Sequence, residues 1–286
     1  MCVKKCDRII AQTDVAQQRS VFFVSDRTGI TAETLGNTLL TQFESVVDFR
    51  RTIVPFITTV EKAQQTVESI NEAGKQSGAR PLVFSTTVDE NIRAELRKAQ
   101  ALFLDLFDGY VPTIESELGQ KSTHTVGRAH GVADPLKYSS RIAAVNYAME
   151  HDDGLSTRDL SRAEVILVAP SRCGKTPTSM YLALQHGIFA TNFPLTEDDI
   201  EHGRLPKSLK GHEAKLFGLT SEPERLAQIR SERRAGSKYA SLAQCSYELR
   251  AAEQLYRKLN VPFVNSANMS VEEIATLVMQ EKKLKR

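Results

Sequence analysis

The chain has 286 residues, 41% apolar and 25% charged, with a formal net charge of +2. This balance excludes an intrinsically disordered chain and removes any bulk electrostatic drive toward nucleic acid or acidic lipid. No apolar run reaches the roughly 18 residues that cross a bilayer, so neither a membrane nor a nucleic-acid partner is expected. The length allows one large domain or two ordinary ones, with cores that need no covalent staples.

Residues 1–18 are polar, without the apolar centre of a secretory signal, and read as a flexible N-terminal tail. The next stretch, VFFVSD (21–26), is a buried strand by its β-branched and aromatic run, and Thr31 opens a helix. VVDFRRTIV (46–54) reads as a second strand ended by Pro55, followed by an amphipathic helix over 59–77. PLVFSTT (81–87), a helix over 91–100 and ALFLDLF (101–107) complete four strands alternating with helices, the pattern of parallel βαβ units.

From 112 to 160 the periodicity weakens, with one helix expected over 138–150 and the sequence HDDG at 151–154. A second alternation then begins. EVILVAP (164–170) is a strand, SRCGKTPTSMYLALQHG a loop entering a helix, and FATNFP (189–194) a strand. After a polar loop over 195–211 come the strand KLFGLT (215–220), a helix from Pro223, a helix over 240–259, the strand VPFVNSA (261–267) and a last helix. Ser270 and Glu273 have the spacing of a capping box. The expectation is an α/β chain. An N-terminal parallel-sheet βαβ domain (19–118) is followed by a connecting segment (119–160) and a P-loop kinase-like α/β domain (161–286). Four widely spread cysteines, Cys2, Cys6, Cys173 and Cys245, suit a reducing, cytoplasmic setting better than a disulfide framework.

The strongest chemical signal is APSRCGKT (169–176). A phosphate loop reads G-x-x-x-x-G-K-[ST] between a strand and a helix. Gly174, Lys175 and Thr176 fit it, and Ala169 stands at the first glycine. Backbone N–H groups of Ala169, Ser171, Arg172, Cys173 and Gly174 would cradle phosphate oxygens, with Pro170 between them. Lys175 would neutralise the terminal phosphates, and Thr176 would ligate Mg2+. Neither KLFGLT nor VPFVNSA carries the carboxylate such a site needs at a strand end. HDDG therefore makes Asp152 and Asp153 the candidate base or magnesium ligand, with a capped surface turn as the alternative.

Three weaker candidates remain. Asp26 stands at the carboxyl end of the first strand, where doubly wound sheets place ligands, although a capped loop would look the same. His130 in RAHG combines with a cation and a glycine and reads as a catalytic or phosphate-contacting group or, as a lone histidine more often does, as a structural one. RSERR (230–234) brings Arg233 and Arg234 near one another as phosphate contacts or, equally, as a solvated helix face.

Taken together, SDRTGITAETLG (25–36), RIAAVNYAMEHDDG (141–154), SRCGKTPTSMYLA (171–183), PERLAQIRSERR (223–234) and YASLAQC (239–245) closely resemble the phosphoenolpyruvate synthase regulatory protein family. Relatives of that family regulate pyruvate, phosphate dikinase. Ala169-Pro170 stands where the family's loop usually has Gly-Val. The resemblance implies a bifunctional enzyme. As a Ser/Thr protein kinase with ADP as donor, it phosphorylates a threonine of the synthase. As a phosphorylase, it removes that phosphate with inorganic phosphate and releases pyrophosphate. It implies ADP at 169–176, inorganic phosphate as co-substrate, Mg2+, the synthase as partner, and compatibility with a homodimer. Two other readings fit the loop: a small-molecule kinase, and a non-enzymatic nucleotide-sensing regulator.

Overall fold

A computed structural model describes residues 17–123 and 135–285. The chain divides into two compact units, 1–131 and 132–286. Among the described residues there are eight strands and ten α-helices, and no helix is long and apolar enough to cross a membrane.

The first unit is built on β1 (Gln17–Val24), β2 (Val47–Val54), β3 (Leu82–Ser85) and β4 (Leu102–Asp105). They form one parallel sheet in the order β2-β1-β3-β4. Its helices are α1 (Ile30–Leu40), α2 (Val60–Ser77), α3 (Glu90–Leu96) and α4 (Val111–Leu118). Side chains alternate across a strand, and a parallel sheet buries both faces. Phe22 and Val24 accordingly pack with Ile57, Ile70 and Leu96 on one side. Val21 and Phe23 pack with Ala32, Leu40 and Phe84 on the other.

The first strand differs from the sequence expectation at both ends. The expected tail lies outside the described residues as far as residue 16, but residues 17 and 18 open β1, because β2 runs eight residues and pairs Val47 with Gln17. The strand also ends at Val24, so Ser25 and Asp26 belong to the following loop. Helix α4 was not anticipated. It has no fully buried residue, so no apolar stripe marks it, although Pro112 in its first turn and left-handed Gly119 after its end are ordinary boundary residues.

The second unit repeats the same topological order. β5 (Val165–Ala169), β6 (Ala190–Pro194), β7 (Leu216–Thr220) and β8 (Phe263–Asn265) lie parallel as β6-β5-β7-β8. The helices are α5 (Pro135–Glu150), α6 (Lys175–His186), α7 (Glu197–Glu201), α8 (Pro223–Arg233), α9 (Leu242–Lys258) and α10 (Val271–Glu281). All five residues of β5 are buried, which explains its unbroken apolar run. Val165, Leu167 and Ala169 face a core shared with Leu182, Leu249 and Val278. Ile166 and Val168 face one shared with Tyr147, Leu255 and Tyr256. The Ser270–Glu273 capping box forms as expected, the serine accepting from Glu273 N and the carboxylate accepting from Ser270 N. The chain leaves β5 toward β6 on one side and then crosses back to β7 on the other, so the strand order reverses at the carboxyl end of β5. That is where an open α/β sheet has a crevice.

Candidate functional site

The loop at this crevice is shaped by two left-handed residues, Arg172 (φ 73°) and Gly174 (φ 90°), the latter being the N-cap of α6. Ala169 closes β5 without a positive φ, so its methyl group is accommodated where the usual loop has glycine. The carbonyls of the loop are held from the protein side. Ser171 O accepts from Arg230 Nε at 3.3 Å and Nη2 at 3.0 Å, and Cys173 O accepts from the Ser266 hydroxyl at 3.1 Å. The backbone N–H groups of 171–176 find no acceptor among the described residues. Carbonyls turned in and amides left open make a concave anion nest, reinforced by the positive end of α6.

Lys175 and Thr176 begin α6 and meet the turn at 152–154. Lys175 is buried, with only 5% of its surface exposed, and its Nζ lies 3.4 Å from Asp153 Oδ1. The Thr176 hydroxyl donates to Asp152 Oδ1 at 2.8 Å. Asn192, fully buried on β6, donates to the same oxygen at 2.7 Å and to Ser179 Oγ at 3.1 Å. Its own Oδ1 accepts from Asp153 N at 3.2 Å. One side-chain amide therefore orients both aspartates.

The turn is tight for physical reasons. Asp153 is left-handed at φ 48°, and Gly154 follows at φ 72° with Phe193 so close that a Cβ would come within 2.8 Å of the ring. Any larger residue at 154 would push the turn off β6. His151 is part of the same support. Its ring nitrogens lie 2.8 Å from Tyr147 O and 2.6 Å from Arg158 O, its ring stacks on Tyr147, and Thr191 donates to its carbonyl at 2.8 Å.

The remaining sequence candidates fall in different places. Ser171 Oγ and the Tyr239 hydroxyl are 2.9 Å apart, and Arg172 is exposed at the loop. The Cys173 thiol is buried, which pushes its pKa up to about 12, so it is held protonated beneath the loop. Asp26 is buried in the first unit, where Oδ2 accepts from Val88 N at 2.9 Å and ties the loop after β1 to the one after β3. Arg233 and Arg234, at the end of α8, are exposed and make no side-chain hydrogen bond or ion pair among the described residues. His130 lies outside the described residues. The Asp152–Gly154 turn, assigned from sequence to a connecting segment, packs against β6 in the second unit.

Sequence reasoning missed Asn192, Ser179, Tyr239, Glu248 and Ser266, and it gave Arg230 no role of its own. Asn192 had a signal, a lone amide in an otherwise apolar strand, which must find partners when buried. Ser179, on α6 itself, leaves none because its partner Asn192 is on β6, and the other four leave none because each meets the loop from a distant element.

No cluster of three or more acidic, histidine or cysteine side chains marks a metal site among the described residues. The oxygen pair of Thr176 and Asp152 does fit a magnesium ion that takes one or two protein oxygens and completes its shell with phosphate and water.

Residues 21–279 match the model of the family described as Kinase/pyrophosphorylase. A relative from Alkalilimnicola ehrlichii is 54% identical over 269 residues, covering 94% of this chain and 97% of its own. Relatives from Hahella chejuensis (51% identical, covering 92% of this chain and 96% of its own) and an Azoarcus species (52%, covering 94% and 97%) are similar throughout. All three carry the name "Putative phosphoenolpyruvate synthase regulatory protein".

Proposed function

The chain belongs to the kinase/pyrophosphorylase family, and from that premise we propose that it switches phosphoenolpyruvate synthase off and on by phosphoryl transfer. In one direction it acts as an ADP-dependent protein-threonine kinase. In the other it is a phosphate-dependent, pyrophosphate-forming phosphorylase. The observation that carries this reading is the meeting of Lys175 and Thr176 with Asp153 and Asp152 at the mouth of an open amide nest.

In the kinase direction the nest holds the two phosphates of ADP, and Lys175 offsets the charge that builds on the transferring β-phosphoryl group. The threonine oxygen forms a bond to the β-phosphorus, the bond from that phosphorus to the bridging oxygen breaks, and AMP leaves. Asp153, whose side chain is 56% exposed, takes the threonine proton. Asp152 is committed to Thr176 and Asn192, which makes it the metal-side carboxylate. Bound magnesium would be held by Thr176 and Asp152 and would supply additional neutralisation of phosphate charge.

In the reverse direction the same nest holds inorganic phosphate. Its oxygen bonds to the phosphothreonine phosphorus, the threonine oxygen leaves and recovers a proton from Asp153, and pyrophosphate is released. Both reactions pass through similar phosphoryl transition states, so one set of donors serves both.

The test is to incubate the protein with phosphoenolpyruvate-charged synthase and β-labelled ADP, then chase with phosphate. Label should appear on a synthase threonine and afterwards in pyrophosphate. ADP binding without labelled synthase would instead support a nucleotide sensor. Transfer to small acceptors in the absence of synthase would support a small-molecule kinase.

A further inference from the structure

Arg230 is the largest fully buried side chain among the described residues, with no exposed surface, on a helix otherwise rich in solvated charge. A buried guanidinium is costly unless every donor is used. Here each one is. Nε and Nη2 both donate to Ser171 O, and Nη2 also donates to Glu248 Oε2 at 2.6 Å. Nη1 donates to Tyr239 O at 3.0 Å and approaches Cys245 Sγ at 3.8 Å. The guanidinium lies 4.2 Å over the Tyr239 ring, and the hydroxyl of that tyrosine reaches Ser171 Oγ. Burial opposes the charge, but the hydrogen bond and charge of Glu248 outweigh it and the pKa is raised.

All of this converges on one peptide. Ser171 O is drawn into the protein, and the next residue, Arg172, takes the left-handed conformation that turns the following amides outward. A strained backbone persists only where its surroundings over-determine it. We infer that Arg230 is a positioning residue of the phosphate loop: with Tyr239 and Glu248 it clamps the Ser171 carbonyl and so presets the amide nest for a diphosphate. A planar fork can give two parallel donors to one oxygen, and a lysine cannot. The three arginines of RSERR therefore divide between a buried clamp and two exposed cations.

The inference deepens the nucleotide reading above and rests on it. The experiment measures binding of ADP, and of inorganic pyrophosphate as a bare diphosphate, to wild type, Arg230→Lys and Tyr239→Phe. Melting is recorded without ligand, and steady-state kinetics are run on charged synthase. Arg230→Lys should weaken both ligands by about tenfold or more, as expected for losing a charge-assisted anchor, and raise KM for ADP while kcat at saturation stays within about threefold. Tyr239→Phe, which keeps the ring and the carbonyl, should weaken binding in the same direction by a smaller factor. A folded Arg230→Lys protein with wild-type affinity would overturn the clamp, since a purely structural arginine lowers the melting temperature and leaves affinity intact. Where Arg230→Lys does not fold, unchanged affinity in Tyr239→Phe overturns it. Wild type that binds pyrophosphate but not ADP would overturn the nucleotide reading alone. Equal pyrophosphate affinity in all three proteins would overturn the clamp alone.

Discussion

Thr176 at the start of α6 donates its hydroxyl to Asp152, 24 residues earlier in the chain, at 2.8 Å. Phosphate-loop enzymes ordinarily bring a carboxylate from a strand end. The strands β7 and β8 carry no acid, and the acids paired with Thr176 and Lys175 stand on the turn after α5. Its position depends on Asn192, which bonds both to the carboxylate and to the neighbouring Asp153 backbone.

Lys175→Ala should abolish transfer in both directions and weaken ADP binding by about 10- to 100-fold, the worth of a charge-assisted contact. Parallel assays of synthase phosphorylation and phosphorolysis on the one variant provide the check. Full retention of either direction would show that the two reactions do not share this lysine.

Asp153→Asn should lower kcat for phosphorylation by about 10²- to 10⁴-fold with ADP affinity little changed, as for loss of a general base. Asp152→Asn should instead weaken ADP binding in the presence of magnesium, because its Oδ1 is the group joined to Thr176. Comparison of kcat and ADP Kd in the two variants separates these roles. If both keep the normal kinase rate, neither aspartate accepts the threonine proton.

Asn192→Asp is nearly isosteric and places a carboxylate where an amide now donates to Asp152 at 2.7 Å. Two carboxylates so close repel, and the bond by which the amide holds Asp152 is lost. The turn should loosen, so ADP binding in the presence of magnesium should weaken by about tenfold while the fold is kept. ADP affinity equal to that of wild type would show that Asn192 does not position Asp152.

Burial raises the Cys173 thiol from 9.0 to about 12. The folded state thus holds this proton more tightly than the unfolded chain does. Its contribution to stability is complete below 9.0 and is lost as pH rises toward about 12. Urea unfolding of wild type and Cys173→Ala between these limits should show a shallower decline in the variant, by up to about 1.4 kcal/mol per pH unit. Parallel declines would mean that Cys173 ionises freely in the fold.

Much of the architecture was legible because burial on both faces leaves an unmistakable mark. VFFV and VILVA read as strands since each is enclosed by helices on either side. The strand–loop–helix at 165–186 was legible because its local signals are adjacent: the apolar strand, left-handed Gly174 and the helix start lie within a dozen residues. Asp26 was weighed as a phosphate contact, and the structure places it under a backbone amide at residue 88. A buried acid and a ligand-facing acid look identical in sequence, since the partner that distinguishes them is 62 residues away.

The sequence by itself determined the two α/β halves and the strand, loop and helix at 165–186. Hydrophobic periodicity and short-range turn chemistry are written in neighbouring residues. Only the tertiary structure decided which charges serve the loop. It buried Arg230 against Ser171 O, left Arg233 and Arg234 exposed, and gave Asn192 the task of aiming two aspartates. The reason is energetic. A polar group enters a core only when all its partners are assembled around it, and those partners come from β6, α6, α8 and α9, which meet only once the sheet has formed.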